Sequence, residues 1–155
     1  MHKINWKTLL INIAIPLLVG GLSALFTMNS MDVYSQIEQP PLSPPSWLFP
    51  VVWTILFILM GISSYLIWES KSKDSRPALF VYATQLVVNF FWSIVFFNLR
   101  QYGFAIVVIL VLLALILLTI YLFKDINKAA AWLLVPYLLW VLFATYLNIA
   151  IAILN

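Results

Sequence analysis

Five long stretches of this chain carry no charged side chain, and they constrain its fold more than any other feature. A helix needs about 20 mostly apolar residues to cross the hydrocarbon core of a bilayer. Five stretches without Asp, Glu, Lys or Arg reach that length, approximately over residues 8–28, 47–68, 77–99, 104–123 and 129–154. The pattern predicts an all-α integral membrane bundle of five transmembrane helices, built as one domain over residues 1–155.

Composition excludes the two main alternatives to this fold. The chain is 65% hydrophobic and 8% charged, whereas soluble globular proteins average about 25% charged residues. A transmembrane β-barrel requires strands of about 10 residues in which apolar and polar side chains alternate. Residues 107–118 are apolar at every position, so helices are predicted.

The basic residues predict the orientation of the bundle. Lys and Arg in short loops are retained on the cytoplasmic side of a membrane. Seven of the eight basic residues fall on one side of the predicted topology, and only Arg100 falls on the other. We therefore expect a multi-pass protein of the cell membrane with a cytoplasmic N-terminus and an external C-terminus. Because this bias explains the net charge of +3, no nucleic-acid partner is expected.

Side chains that catalyse ordinary reactions are scarce. The chain has no cysteine and a single histidine, His2, so we expect neither a bound metal nor a tightly bound cofactor. None of the five spans holds an acid or a base, which disfavours hydrolysis and proton-coupled pumping.

The first connection is unusually long. It runs over residues 29–46 and contains four prolines, and loops beyond about 12 to 15 residues are usually functional or disordered. The prolines and Tyr34 favour an ordered lid on the outer face.

Polar and aromatic residues form stripes on three spans, at the spacing of three or four residues that defines one helical face. The stripes are Trp53, Phe57, Met60, Ser64 and Trp68; Gln85, Asn89, Trp92 and Phe96; and Trp140, Ala144 and Asn148. Such stripes can converge on one cavity. They can also serve only to hydrogen-bond neighbouring helices, and the pattern alone leaves both interpretations open.

The tryptophans divide by their depth in the spans. Trp6, Trp47, Trp68 and Trp132 lie near span ends, as expected of an aromatic belt. The other three, Trp53, Trp92 and Trp140, lie too deep for a belt and are candidates for lining a pocket.

Other residues predict packing. The first span carries a cluster of small residues that allows close helix contact: Gly20, Gly21, Ser23, Ala24 and Thr27. Gly20 and Ala24 have the small-xxx-small spacing. Pro16 and Pro136 are expected to kink their helices. The fourth span, almost entirely Leu, Ile and Val, suits a packing or lipid-facing role.

Several sequence blocks resemble the translocator protein family, also called tryptophan-rich sensory proteins or peripheral benzodiazepine receptors. The blocks are PPSW at 44–47 with VW at 52–53, MG at 60–61 with SYLIW at 64–68, QLVVNFFWS at 85–93 with FF at 96–97, AWLLVPYLLW at 131–140, and FATYLN at 143–148. The resemblance covers nearly the whole chain and is to bacterial members.

The resemblance implies a membrane receptor, often a homodimer, with a ligand pocket under the first loop. The implied ligands are porphyrins and other tetrapyrroles, and isoquinoline carboxamide or benzodiazepine-type drugs. The implied pocket residues, with Phe57 and Gln85 added from the stripes, are Tyr34, Pro44, Trp53, Phe57, Gln85, Asn89, Trp92, Trp140, Ala144 and Leu147.

Bacterial relatives promote light-dependent oxidative degradation of protoporphyrin IX, which makes that porphyrin the expected ligand or substrate. Our hypothesis is that the porphyrin absorbs light while Trp53 and Trp140 relay electrons or radicals, since the chain offers no acid or base. Whether this makes the protein an enzyme is left open.

Two other functions remain compatible with the sequence: a transmembrane carrier of tetrapyrroles and a ligand-dependent sensory protein. A carrier is expected to show repeat symmetry or a second opening, and no internal repeat is visible.

Cholesterol-binding relatives carry a basic residue shortly after a tyrosine in the fifth span. Tyr146 is followed by none, so cholesterol binding through that motif is not expected.

Overall fold

The computed structural model describes residues 3–155, with backbone only at 29 and 31–33; the expectation about His2 lies outside the described residues. The helices are α1 (Trp6–Thr27), α2 (Met31–Gln36), α3 (Leu48–Ser70), α4 (Ser75–Ser93), α5 (Tyr102–Lys124), α6 (Lys128–Leu133) and α7 (Val135–Leu154). A 3-10 turn, Met28–Ser30, precedes α2, and a π-helix, Ile94–Asn98, extends α4. Five helical segments within the described residues are long and apolar enough to cross a membrane, which confirms the predicted fold class.

The bundle has two chemically different ends. One end, which we call the lid end, contains the connection between α1 and α3, where Glu38 hydrogen-bonds Asn155 at the end of α7. At the opposite end, the basic end, the backbone N–H of Asn5 donates to the Tyr65 hydroxyl over 2.9 Å. The seven basic residues grouped by the sequence lie at the basic end, and Arg100 lies at the lid end.

α1 is attached to the bundle mainly through α3. A side chain at Gly61 would collide with the backbone of Ile13, so the two helices are in backbone contact near the basic end. Nearby, the Ser64 hydroxyl donates to Asn12 Oδ1 over 3.0 Å. Further towards the lid end, the ring of Phe57 occupies the space that a Gly20 side chain would need. Gly61 of α3 and Gly20 of α1 are therefore packing positions within the chain, as small residues are where membrane helices approach closely.

α5 has the packing role that its composition predicts. One face is buried against the rest of the bundle, at alternating steps of four and three residues: Ala105, Ile109, Leu112, Ile116, Thr119 and Phe123. The opposite face is exposed, for example at Leu110 and Leu117. α5 therefore packs against both α4 and α7.

The two intramembrane prolines behave differently. Pro136 lies in the first turn of α7, directly after a break at Leu134 that separates α6 from α7. Proline has no N–H to donate, which is tolerated in a first helical turn, so the predicted kink is realised as a break. Pro16 is buried inside α1, which continues through it.

The connection over residues 29–46, predicted as an ordered lid, is partly helical. The 3-10 turn and α2 occupy its first part, and the proline-rich second part is irregular. Hydrophobicity alone did not reveal α2, because a six-residue helix is too short to show a periodic pattern.

The contact at Gly61 yields the first testable prediction. Gly61→Ala should destabilise the protein by about 1–3 kcal/mol, because the added methyl group would push α1 away from α3. Gly21→Ala is the matched control, since a side-chain carbon there would meet nothing within 4 Å. That control should be neutral or stabilising, because alanine favours helices over glycine by up to about 1 kcal/mol. Thermal unfolding in detergent measures both, and equal melting temperatures for the two variants would contradict the backbone contact.

Candidate functional site

A cavity of about 430 Å³ lies between α1, α3 and α4 in the half of the bundle nearest the lid end. Ligand pockets commonly measure about 300–1,000 Å³ and are mostly apolar. The lining residues carry no formal charge. They are Leu17, Gly20, Gly21, Ser23, Ala24, Thr27, Met28, Phe49, Pro50, Trp53, Thr54, Phe57, Asn89, Trp92, Ser93 and Phe97.

Aromatic rings form most of one wall. The indole of Trp53 stacks on the Phe57 ring with centroids 5.5 Å apart, and Trp92 stacks on Phe96 at 5.3 Å. The π-helix after α4 carries Phe97, whose ring meets that of Trp92 edge-on at 6.1 Å. Flat aromatic surfaces of this kind suit a flat aromatic ligand, since offset stacking and edge contacts add to area burial.

A hydrogen-bonded chain fixes Asn89, whose side chain is the one amide among the residues that line the cavity. Asn89 Nδ2 donates to the Tyr137 hydroxyl over 2.9 Å, and that hydroxyl donates to Gln85 Oε1 over 2.6 Å. Gln85 and Tyr137 are almost completely buried and do not line the cavity, whereas Asn89 does. Gln85, predicted as a ligand-binding residue, therefore supports Asn89 from behind.

A second chain fixes Trp92. Its Nε1 donates to Asn148 Oδ1 over 3.0 Å, and Asn148 Nδ2 donates to the Tyr102 carbonyl over 2.9 Å. The indole N–H of Trp92 is therefore engaged by α7 and is not free for a ligand.

The residues of the α7 stripe do not line the main cavity. The three stripes therefore do not converge on one cavity. A separate void of only about 10 Å³ is lined by Tyr34, Phe49, Trp92, Phe96, Phe97, Ala144, Leu147 and Ile151. Phe49, Trp92 and Phe97 line both spaces and form a wall between them. The stripe on α4 is buried as predicted, but Trp68 at the end of the α3 stripe is 57% exposed.

The predicted site residues fall into three groups. Trp53, Phe57, Asn89 and Trp92 line the main cavity, while Tyr34, Ala144 and Leu147 line the small void together with Trp92. Pro44, Gln85 and Trp140 line neither. Trp140 lies behind Phe49, with ring centroids 6.0 Å apart, and its buried Nε1 has no hydrogen-bond partner among the described residues.

α1 supplies wall residues that the sequence interpretation assigned to packing. Gly21, Ser23 and Ala24 line the cavity, and the buried Ser23 hydroxyl has no partner within the described part of the chain. The signal for them was the cluster of small residues in the first span. Small residues allow either close packing or open space, so the cluster alone did not distinguish wall from interface.

Side-chain hydrogen bonds pin the connection between α1 and α3. The Tyr146 hydroxyl donates to the Pro41 carbonyl over 2.6 Å, and the Tyr34 hydroxyl donates to the Pro44 carbonyl over 3.3 Å. Burial raises the pKa of the Tyr34 phenol above its ordinary value, an effect that the Ser43 hydroxyl partly offsets. Tyr34 therefore stays neutral at physiological pH and keeps its proton for this bond.

Tyr34 also supports the aromatic rings at the lid end of the cavity. Its ring packs edge-on against Phe49 at 5.2 Å and against Phe97 at 6.3 Å. Because both phenylalanines line the cavity, Tyr34 acts through them and does not touch the main space itself.

The site offers little to a metal ion or to acid–base chemistry. Among the described side chains, no group of three or more His, Asp or Glu residues is arranged to hold a metal. The cavity's polar side chains are hydroxyls, one amide and two indoles, and the N–H of one of these indoles, Trp92, is engaged by Asn148. Such a lining can bind and orient a ligand, while demanding reactivity would have to come from the ligand.

These features define a class: a five-helix membrane protein with an uncharged, aromatic cavity near a pinned loop. Residues 12–154 match the model of the TspO/MBR family, and the chain belongs to that family. It is 39% identical to "Tryptophan-rich protein TspO" of Archaeoglobus fulgidus, over 97% of this chain and 99% of that protein. It is 40% identical to "Tryptophan-rich protein TspO" of Chlorobaculum tepidum, over 96% of each chain. It is also 36% identical to "Translocator protein" of Bos taurus, over 86% of this chain and 82% of that protein.

The bridge between α4 and α7 gives the second prediction. Asn148→Ala should destabilise the protein by roughly 1–3 kcal/mol for each partner left unsatisfied, since the Trp92 N–H and the Tyr102 carbonyl both lose their bond. Trp92→Phe in the Asn148→Ala background should then cost less than Trp92→Phe in wild type. A double-mutant cycle of thermal unfolding measures this coupling, and strictly additive effects would show that the bridge contributes nothing.

Proposed function

We propose that the main cavity binds porphyrins and related tetrapyrroles, and that the protein promotes light-dependent oxidative degradation of protoporphyrin IX. The observation that carries the proposal is the cavity itself, about 430 Å³ of uncharged space lined by Trp53, Phe57 and Trp92. The same lining suits isoquinoline carboxamide and benzodiazepine-type ligands, which are also flat, aromatic and poor in charge.

The wall between the two spaces determines which residues a ligand of a given size can contact. A small ligand fits the main cavity alone, in contact with Trp53 and Asn89. A porphyrin is larger, and the two spaces join only if a ring of the wall formed by Phe49, Trp92 and Phe97 moves aside. Phe49 is the ring we expect to move, since Trp92 is held by its hydrogen bond to Asn148. The ligand would then reach Ala144 and Leu147 on α7, and its edge would approach the unpartnered Nε1 of Trp140.

The proposed chemistry assigns the reactivity to the porphyrin. The porphyrin absorbs light, dioxygen serves as the oxidant, and nearby indoles relay electrons or radicals. Trp53 is the first relay because its ring lines the cavity. Trp140 is the second relay, because the Phe49 ring separates it from the cavity. The ring centroids of Phe49 and Trp140 are 6.0 Å apart.

The relay order is testable with conservative variants. In light, Trp53→Phe should slow protoporphyrin loss about tenfold, and Trp140→Phe should slow it less, while porphyrin binding in the dark stays within about twofold of wild type. The control is Trp132→Phe, since Trp132 is 71% exposed at the basic end. Protoporphyrin absorbance and Trp fluorescence are followed in purified protein, in the dark and under illumination. Full activity of both variants with unchanged binding would remove the tryptophans from the mechanism.

Phe49 provides an independent test of the binding proposal. Phe49→Ala joins the two spaces, so the ratio of the affinity for protoporphyrin to the affinity for a small isoquinoline carboxamide should rise about tenfold, or about 1.4 kcal/mol. Phe143→Ala is the matched control, because Phe143 packs against Trp140 at 5.5 Å and lines neither space. An unchanged affinity ratio would mean that the porphyrin does not use the joined spaces.

The proposal favours degradation over transport. All residues that line the two spaces lie in the lid-end half, and the contact between Gly61 and Ile13 closes the α1–α3 interface towards the basic end. A carrier would need an opening at that end. Stable dark binding with no protein-dependent decay in light would instead support a carrier or a sensory protein.

The remaining parts of the proposal concern the cellular setting. We place the protein in a bacterial cell membrane with the basic end in the cytoplasm, because seven of eight basic residues lie at that end. We also propose a homodimer. The pair of small residues Gly20 and Ala24 on α1 is not the dimer surface that we propose, because the Phe57 ring of the same chain fills the space beside Gly20. Cross-linking in membranes tests the dimer.

A further inference from the structure

We propose that ligands reach the main cavity sideways from the bilayer, through an opening between α1 and α3, and not through the loop at the lid end. We call this opening the lateral mouth and define it by Gly21 and Ala24 on α1 and by Pro50 and Thr54 on α3. The inference rests on the proposed function, since it concerns the route to the same cavity. It assigns the ligands to a chemical class: flat aromatic molecules that dissolve in lipid.

Exposure of the lining residues locates the mouth. All four residues that define it line the cavity and are also exposed on the flank of the bundle. The lining residues from α4 and the π-helix are less accessible, because Asn89 and Trp92 are buried while Ser93 and Phe97 are half-buried. The cavity is therefore closed on the α4 side and open between α1 and α3.

The mouth lies at membrane depth. Thr54 is six residues into α3, and Gly21 is six residues before the end of α1. At 1.5 Å of rise per residue, both positions lie about 9 Å inside the lid end of their helices. An opening at this depth on the flank of a membrane-spanning bundle faces lipid, not water.

The chemistry of the mouth suits contact with lipid. The Thr54 hydroxyl donates to the Pro50 carbonyl of its own helix over 2.6 Å. The other three residues of the mouth, Gly21, Ala24 and Pro50, have no polar side-chain atom. Because the Thr54 hydroxyl is satisfied within its own helix, it does not require water, and an apolar molecule can pass it without leaving a donor unpaired.

The route through the lid end is blocked by ordered contacts. Tyr34 packs on Phe49 and Phe97, which close that end of the cavity. Tyr146 holds Pro41, and the side chain of Asn155 both accepts from the Glu38 N–H over 3.2 Å and donates to the Glu38 carbonyl over 2.9 Å. Passage by this route would require several of these bonds to break together, whereas the lateral mouth is already open.

The test narrows the mouth from each rim and measures rates as well as affinity. Gly21→Phe and Thr54→Phe place a ring at the two rims, and a Cβ added at Gly21 would have no neighbouring atom within 4 Å. Protoporphyrin IX is the probe, and quenching of Trp fluorescence is followed by stopped flow with the protein in lipid nanodiscs. Each variant should lower both the association and the dissociation rate constants about tenfold and change Kd less than twofold. In wild type, the association rate should follow the mole fraction of protoporphyrin in the lipid.

Two controls separate the route from the site. Leu22→Phe adds the same ring at a position of α1 that is 50% exposed but does not line the cavity, and it should leave both rates unchanged. Tyr146→Phe frees the loop from Pro41 and should also leave them unchanged. Faster association in Tyr146→Phe with normal rates in both rim variants would overturn the lateral route in favour of the loop. A rim variant that raises only the dissociation rate would overturn it as well, because that residue would then belong to the binding site. Absence of binding by wild type would instead refute the proposed function, which is a different outcome.

Discussion

The structure depends on one constraint: a polar group inside a membrane bundle must find its partner within the protein, because the bilayer core offers no water. Two hydrogen-bonded chains between α4 and α7 meet this demand, one through Tyr137 and one from Trp92 to Asn148. They fix the rotation of α4, so Asn89 and Trp92 face the space between α1 and α3. The cavity exists because α4 and α7 are locked together by polar bonds while α1 is held mainly by close packing on α3.

Much of the fold was predictable because membrane helices are specified by length and by the absence of charge. Five charge-free stretches gave five spanning segments, and the spacing of Gln85, Asn89, Trp92 and Phe96 gave a buried face. These are local properties of a helix. The break at Leu134 was also signalled locally, by Pro136.

The shape of the site was not predictable in the same way, because it depends on contacts between residues distant in the sequence. Whether the stripes of α3, α4 and α7 share one space is decided by the wall of Phe49, Trp92 and Phe97, two of which, Phe49 and Phe97, belong to no stripe. Likewise, Gly21 and Ala24 became wall residues only because α1 touches α3 near Gly61 and leaves a space towards the lid end. The bond from Tyr146 to Pro41 joins residues 105 positions apart and has no pattern in the sequence.

The absence of charge in the cavity connects the architecture with the proposed chemistry. An ionised side chain there would help acid–base catalysis, but it would carry a large desolvation cost at a site that opens towards lipid. Aromatic rings carry no such cost, and indoles can pass electrons without an ionised partner. A lining of Trp53, Phe57 and Trp92 is therefore compatible with both a membrane-facing opening and redox chemistry driven by a light-absorbing ligand. In the proposed function Phe49 would add selectivity by size, since a small ligand would leave its ring in place and a porphyrin would have to displace it to engage α7.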